Sequence, residues 1–204
     1  MTMKKMTTRI AITLGLGIFI TCTSISPDTH FKGTFSELKK EKIKYVESGI
    51  DSLDFAMKIP DYLQATASLD DGRPFQYMHE VKEQYIMASY ELITDVTPAL
   101  DELGYGGGNL LDQYVAYNRE VIANGVNIHK QEAVKSLKIK GMDARMLQFD
   151  GMVEGIDEGI SYYAVFIQSS DKLYFVLAWT LESKKAEFAP IAETILKSFH
   201  LKKK

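Results

Sequence analysis

The sequence predicts an α+β domain built on a mostly antiparallel sheet, and three observations carry that expectation. Ile160 to Ile167 and Leu173 to Thr180 are dense in β-branched and aromatic residues, with the polar run Gln168-Ser169-Ser170-Asp171-Lys172 between them, as in two strands joined by a turn. Directly after them Phe188, Ile191, Ala192, Ile195, Leu196 and Phe199 recur at helical spacing, an apolar stripe that needs a sheet to lie on. Upstream, Leu53 to Ile59 alternates in the two-residue period of a strand until Pro60 removes the next N–H.

The remaining elements follow in chain order. Ser24 to about Lys42 is polar and lysine-rich and reads as a tether. Tyr62 to Leu69 is a second strand candidate, closed by the turn residues Asp70-Asp71-Gly72-Arg73-Pro74. Phe75, Tyr77 and His79 alternate with polar Gln76 and Glu80; Lys82-Glu83 then turns the chain into a largely apolar strand, Tyr85 to Leu92. Past Gly104-Tyr105-Gly106-Gly107-Gly108, the positions Leu110, Leu111, Tyr114, Val115, Asn118, Val121 and Ile122 predict a helix, with Asn109 as its N-cap and Gly125 as its stop. Strand signals return at Val134 to Ile139 and Asp143 to Phe149, followed by a loop rich in glycine and acids, Asp150 to Gly159. Pro190 belongs in the first turn of the last helix, or after a short preliminary turn from Ser183. The body shows neither a repeat nor an internal linker. The expected division is a leader at 1–21, a polar tether at 22–42 and one domain at 43–204.

Composition narrows the function classes. The 204 residues are 46% hydrophobic, enough for a sizeable core, and 24 Lys/Arg stand against 27 Asp/Glu, which gives no electrostatic case for a nucleic-acid partner. One cysteine excludes an intrachain disulfide and a cysteine zinc cage. Lys4, Lys5 and Arg9 precede an uncharged run from Ile10 to Ile20, too short for a bilayer span of about 20 residues but matching the apolar region of a secretory signal peptide. The single cysteine, Cys22, falls directly after that run, in Phe19-Ile20-Thr21-Cys22. That placement resembles a bacterial lipobox, whose cysteine receives lipid and becomes the new N-terminus. Thr21 stands where Gly, Ala or Ser is usual; cleavage after Ser24 or nearby, without lipid, is the alternative. Cleavage before Cys22 leaves 183 residues carrying 21 basic and 27 acidic side chains, so the small charge of the whole chain conceals a basic leader on an acidic body. The terminal Lys202-Lys203-Lys204 reads as a solvated tail.

The closing pattern supports a wider likeness. Tyr162-Tyr163-Ala164-Val165-Phe166-Ile167, a turn, Lys172 to Trp179, Phe188-Ala189-Pro190 and Ile195-Leu196-Lys197-Ser198-Phe199 together resemble the PsbP-like family, as does the early strand ending in Ile59-Pro60. The resemblance runs from about Ser52 to Leu201. Members of that family include DcrB-type bacterial envelope lipoproteins, the photosystem oxygen-evolving subunit PsbP and the Ran-binding Mog protein. It implies an α/β/α sandwich around an antiparallel sheet, and mainly non-enzymatic proteins that support or bind other proteins.

No motif supplies chemistry. His30, His79, His129 and His200 form no metal-ligand spacing, and His79-Glu80-Val81-Lys82-Glu83 lacks the second histidine of a zincin helix. Asp143, Asp150, Glu154, Asp157 and Glu158 crowd one stretch without the spacing of an EF-hand, and read as a solvated loop rather than a cation site. The Gly104–Gly108 loop lacks the Lys-Ser/Thr of a P-loop, and no G-x-S-x-G elbow occurs. The expectation is therefore an exported envelope protein held to the membrane by lipid on Cys22. It is expected to act on an unidentified envelope protein without catalysis, cofactor, metal or nucleic acid. The alternative is a small-ligand or lipid-binding module with a pocket between the sheet and the helix at 110–123.

Overall fold

In the computed structural model the described residues are 43–203, so the leader, Cys22 and the tether lie outside them. The chain forms strands β1 (Tyr45–Ser48), β2 (Phe55–Pro60), β3 (Gln64–Ala65), β4 (Phe75–His79) and β5 (Gln84–Leu92), helices α1 (Ile93–Glu102) and α2 (Leu110–Gly125), and strands β6 (Asn127–Gln131), β7 (Lys135–Ile139), β8 (Met142–Met152), β9 (Ile160–Gln168) and β10 (Lys172–Leu181). A 3-10 turn at Glu182–Lys184 leads into α3 (Lys185–Lys197), and β11 (His200–Leu201) ends the chain. The main sheet runs β3-β4-β5-β10-β9-β8-β6, with β7 also paired to β8; a smaller sheet runs β1-β2-β11. Among the described residues the strand pairings are antiparallel.

Strand alternation divides the main sheet into two faces with a core on each. Tyr163, Val165 and Ile167 of β9 and Tyr174, Val176 and Ala178 of β10 meet α3 and the inward residues Phe55, Met57 and Ile59 of β2. Their neighbours Tyr162, Phe166, Phe175, Leu177 and Trp179 face α1 and α2 on the other side. The result is the α/β/α sandwich that the family resemblance implies, with the small sheet sharing the α3 layer.

The expected elements hold in most places. Asn109 caps α2 by accepting from the Asp112 N–H, and α2 stops at Gly125. Lys140 and Gly141, at φ 50° and 86°, make the two-residue hairpin between β7 and β8 that right-handed strand twist favours. Strands β1, β6 and β11 are not foreseen by the sequence pattern, and four further details differ. The Tyr62–Leu69 candidate contributes only Gln64–Ala65 as strand, because the backbone there is occupied in turns, with the Leu69 and Asp70 N–H groups donating to the Gln76 side chain. Helix α1 is unanticipated: its β-branched run Ile93-Thr94-Asp95-Val96-Thr97 and Pro98 has weak helix propensity, and burial of Val96, Ala99 and Leu100 overrides it. Pro190 does follow a short preliminary turn, at Glu182–Lys184, but it sits inside α3 and not in its first turn, since Lys185 already begins the helix. Lys202 is docked: its N–H donates to the Asp54 carbonyl at 2.8 Å and its Nζ to the Ile50 carbonyl at 2.6 Å.

Asp54 ties the small sheet to the main one, accepting from Lys172 Nζ at 2.7 Å and Tyr174 OH at 3.0 Å. Burial pulls its carboxyl up, but the hydrogen bonds from Lys172 and Tyr174 and the lysine charge win and hold it below the ordinary 3.8. A folded-state value below the unfolded one contributes stability above the unfolded value, lost as pH falls through the folded one. Asp54→Asn should therefore lower stability by no more than about 1 kcal/mol at neutral pH, the carboxylate being partly exposed. In urea titrations the gap to the wild type should close as pH falls below the ordinary 3.8.

Candidate functional site

The residues singled out for chemistry do not converge. His79 ends β4 with its ring 5.7 Å from that of Tyr62; His129 Nε2 lies 3.3 Å from Glu182; His200 Nε2 lies 2.8 Å from Glu47. Asp143 pairs with Lys138 at 2.8 Å, and Glu158 accepts from the Ser183 N–H at 2.9 Å. Among the described residues no three His, Cys, Asp or Glu side chains come together as metal ligands would. Cys22 and His30 lie outside the described residues.

Asp150 corrects the reading of its segment. It belongs to β8, and at 1% exposure it is among the most buried polar groups. It anchors a row that sequence reading missed. Asp150, Ser161, Thr180, Gln84 and His79 occupy matched register positions on β8, β9, β10, β5 and β4, on the face that α3 covers. The first four are almost wholly buried. Lys185, the first residue of α3, holds both Asp150 oxygens at 2.7 and 2.6 Å, and Ser161 Oγ donates to Oδ1 at 2.7 Å. Tyr62 OH donates to Gln84 Oε1 at 2.7 Å, whereas Thr180 Oγ1 and Tyr163 OH have no hydrogen-bond partner among the described residues. Burial, with the nearby Asp150 charge, pushes the Tyr163 phenol up to about 12. The Ser161 proton is committed to a carboxylate already neutralised by a lysine, so the row lacks an activated nucleophile. It fastens α3 to the sheet. The only sequence signal was that four strands each put one polar residue in an apolar face.

The space between the sheet and α2 is packed. Leu111, Tyr114, Val115 and Ile122 are buried against Leu147, Phe149, Phe166 and Phe175, with the Tyr114 ring edge-on to Phe166 at 5.9 Å. Tyr114 OH donates to Glu91, and burial together with that carboxylate pushes its phenol well up. A void of about 10 Å³ beside Tyr85, Trp179 and Ile160 has the room of a single water.

A larger concavity lies elsewhere. A cleft of about 580 Å³ opens between the outward face of the small sheet and the β7–β8 hairpin, lined by Glu47, Lys58, Ser198, His200, Leu201 and Lys203 on one side and Lys140 and Met142 on the other. Local structure presents each of them. Lys58 and Glu47 are register partners on β2 and β1, while the tight hairpin turn carries Lys140. Ser198 sets the position of β11, donating from Oγ to the Ile195 carbonyl at 2.6 Å and accepting from the Lys58 N–H at 2.8 Å. Glu47 is engaged by His200, and no carboxylate pairs with Lys58, Lys140 or Lys203 among the described residues. The arrangement has the charge to hold an anionic group.

No protein-family model matches the chain, and no curated protein matches it. Solved structures do. The chain is similar to the cyanobacterial PsbP protein CyanoP from Synechocystis, at 11% identity and a TM-score of 0.51, covering 82% of this chain and 98% of that one. It is also similar to LpqN of Mycobacterium tuberculosis, described as involved in cell envelope biogenesis, at 12% identity and a TM-score of 0.53, covering 80% and 93%. Such identities speak for architecture alone. The chain has the PsbP-like fold, an α+β sandwich around a mostly antiparallel sheet.

Proposed function

We propose that this chain is an exported bacterial envelope protein of the DcrB-like kind, anchored by lipid on Cys22, that works by binding another protein and catalyses no reaction. The observation that carries the anchor is the position of the one cysteine, directly after an eleven-residue apolar run with a cationic start. Lipid chains at that position would hold the protein without a spanning helix, each buried CH₂ contributing about 0.8 kcal/mol. Among the described residues no helix is long and apolar enough to cross a membrane. The PsbP-like fold, shared with a protein described as acting in envelope biogenesis, supports the compartment. The open, charged cleft supports binding over catalysis.

Cys22→Ala tests the anchor. The native protein should take up radiolabelled palmitate and sediment with membranes, while the variant should lose the label and move to the soluble fraction or retain an uncut leader. Unchanged labelling and fractionation would remove the lipoprotein reading.

A further inference from the structure

We propose that the cleft between the small sheet and the β7–β8 hairpin is a docking site for an extended, acidic segment of a partner protein. The inference rests on the protein-binding reading above and names the chemistry of the partner. Elsewhere Lys138, Lys172, Lys185 and Lys197 each have a carboxylate within 2.8 Å, whereas Lys44 and Lys130 are exposed without one, so the cleft is set apart by the convergence of its lysines on one concavity. In the cleft, Lys58, Lys140 and Lys203 converge from three separate parts of the chain, all exposed, and none has a carboxylate among the described residues. The only acid in the lining, Glu47, is turned to His200. A chain with more acids than bases has carboxylates to spare, so three unpaired lysines around one concavity mark where an external anion would sit.

Two features favour a polypeptide over a lipid surface. The site is concave and has the volume of several side chains, with Met142 and the 38%-exposed Leu201 as apolar ground between the lysines. β11 is also the edge of its sheet. Because the Lys202 N–H bonds inward to the Asp54 carbonyl, strand alternation turns the Leu201 N–H and C=O outward, along the open side. An extended segment meets that edge with its own backbone and places alternate carboxylates against the lysines. A membrane has no complement for a strand edge.

The test uses the protein purified in detergent and a fluorescent peptide of alternating Glu and Leu, with a Lys–Leu peptide and phosphatidylglycerol vesicles as comparisons. The Glu–Leu peptide should bind, the Lys–Leu peptide should not, and the affinity should fall at least tenfold in the K58Q/K140Q/K203Q variant and again on raising salt. K140Q alone, at an exposed turn, should show a smaller loss in the same direction and serves if the triple variant unfolds. Absence of peptide binding, equal binding by the variants, or lysine-dependent binding to the vesicles alone overturns the proposal. Photocrosslinkers placed at Leu201, Val81 and Tyr90 in the native envelope separate the two levels of inference. Protein adducts at the other positions but never at Leu201 remove the cleft and leave the protein-binding function. No protein adduct at any position removes that function itself.

Discussion

Lys185→Met is expected to destabilise the fold by about 3 kcal/mol, read as a lowered urea midpoint with an unchanged slope. The substitution keeps the length and packing of the stem but removes the ammonium that holds both oxygens of Asp150. Asp150 is 1% exposed, so water cannot replace the lost cation, and the Ser161 hydroxyl alone does not compensate a buried carboxylate. Breaking a buried ion pair from one side costs about 3–5 kcal/mol; the lower end is expected here because Lys185 itself reaches solvent. Neutralising the other partner supplies the control. In the Asp150→Asn/Lys185→Met double variant the uncompensated charge is gone, and part of the loss should return. If the single and double variants are equally destabilised, Lys185 matters for packing and not for charge.

Phe199→Ala should be at least as severe, at about 3–5 kcal/mol. Phe199 is fully buried just after α3, its ring 5.2 Å from Phe55 of the small sheet and 5.0 Å from Tyr174 of the main one. The three rings are the point where helix, small sheet and large sheet meet, and no neighbour can close the space without moving one of those elements. Phe199→Leu retains much of the volume and should lose markedly less. Both effects are measurable by chemical denaturation. A loss below about 1 kcal/mol for the alanine variant would show that the three-ring contact relaxes freely. The same substitution should weaken the cleft, because β11 is held in place by Ser198 and Phe199.

The strand pair β9–β10, helices α2 and α3 and the Asn109 cap were legible because each is written in local periodicity. A half-buried strand or an amphipathic helix must repeat its apolar residues at 2 or 3.6, and a cap needs only one side chain three residues from the N–H it serves. α1 was not legible, since threonines, a proline and β-branched residues argue against a helix that tertiary burial then imposes. Asp150 was misread for a related reason: Gly151, Gly155 and Gly159 nearby give a loop-like composition. Gly151 is nevertheless in β8, where a Cβ would collide with Val126 and crowd the Asn127 carbonyl. Its glycine marks close approach of β6 rather than a turn.

The sequence by itself determined the α+β class, the order of most elements, the basic N-terminal stretch ahead of a more acidic remainder and the placement of Cys22, on which the proposed anchor rests. Only the tertiary structure decided which polar residues meet. Asp150 finds Lys185 thirty-five positions later, and Lys58, Lys140 and Lys203 come to one cleft from β2, a hairpin turn and the C-terminus. Periodicity tells each residue which way to face. Register between distant strands tells it whom it faces, and that is set by the packing of the whole chain.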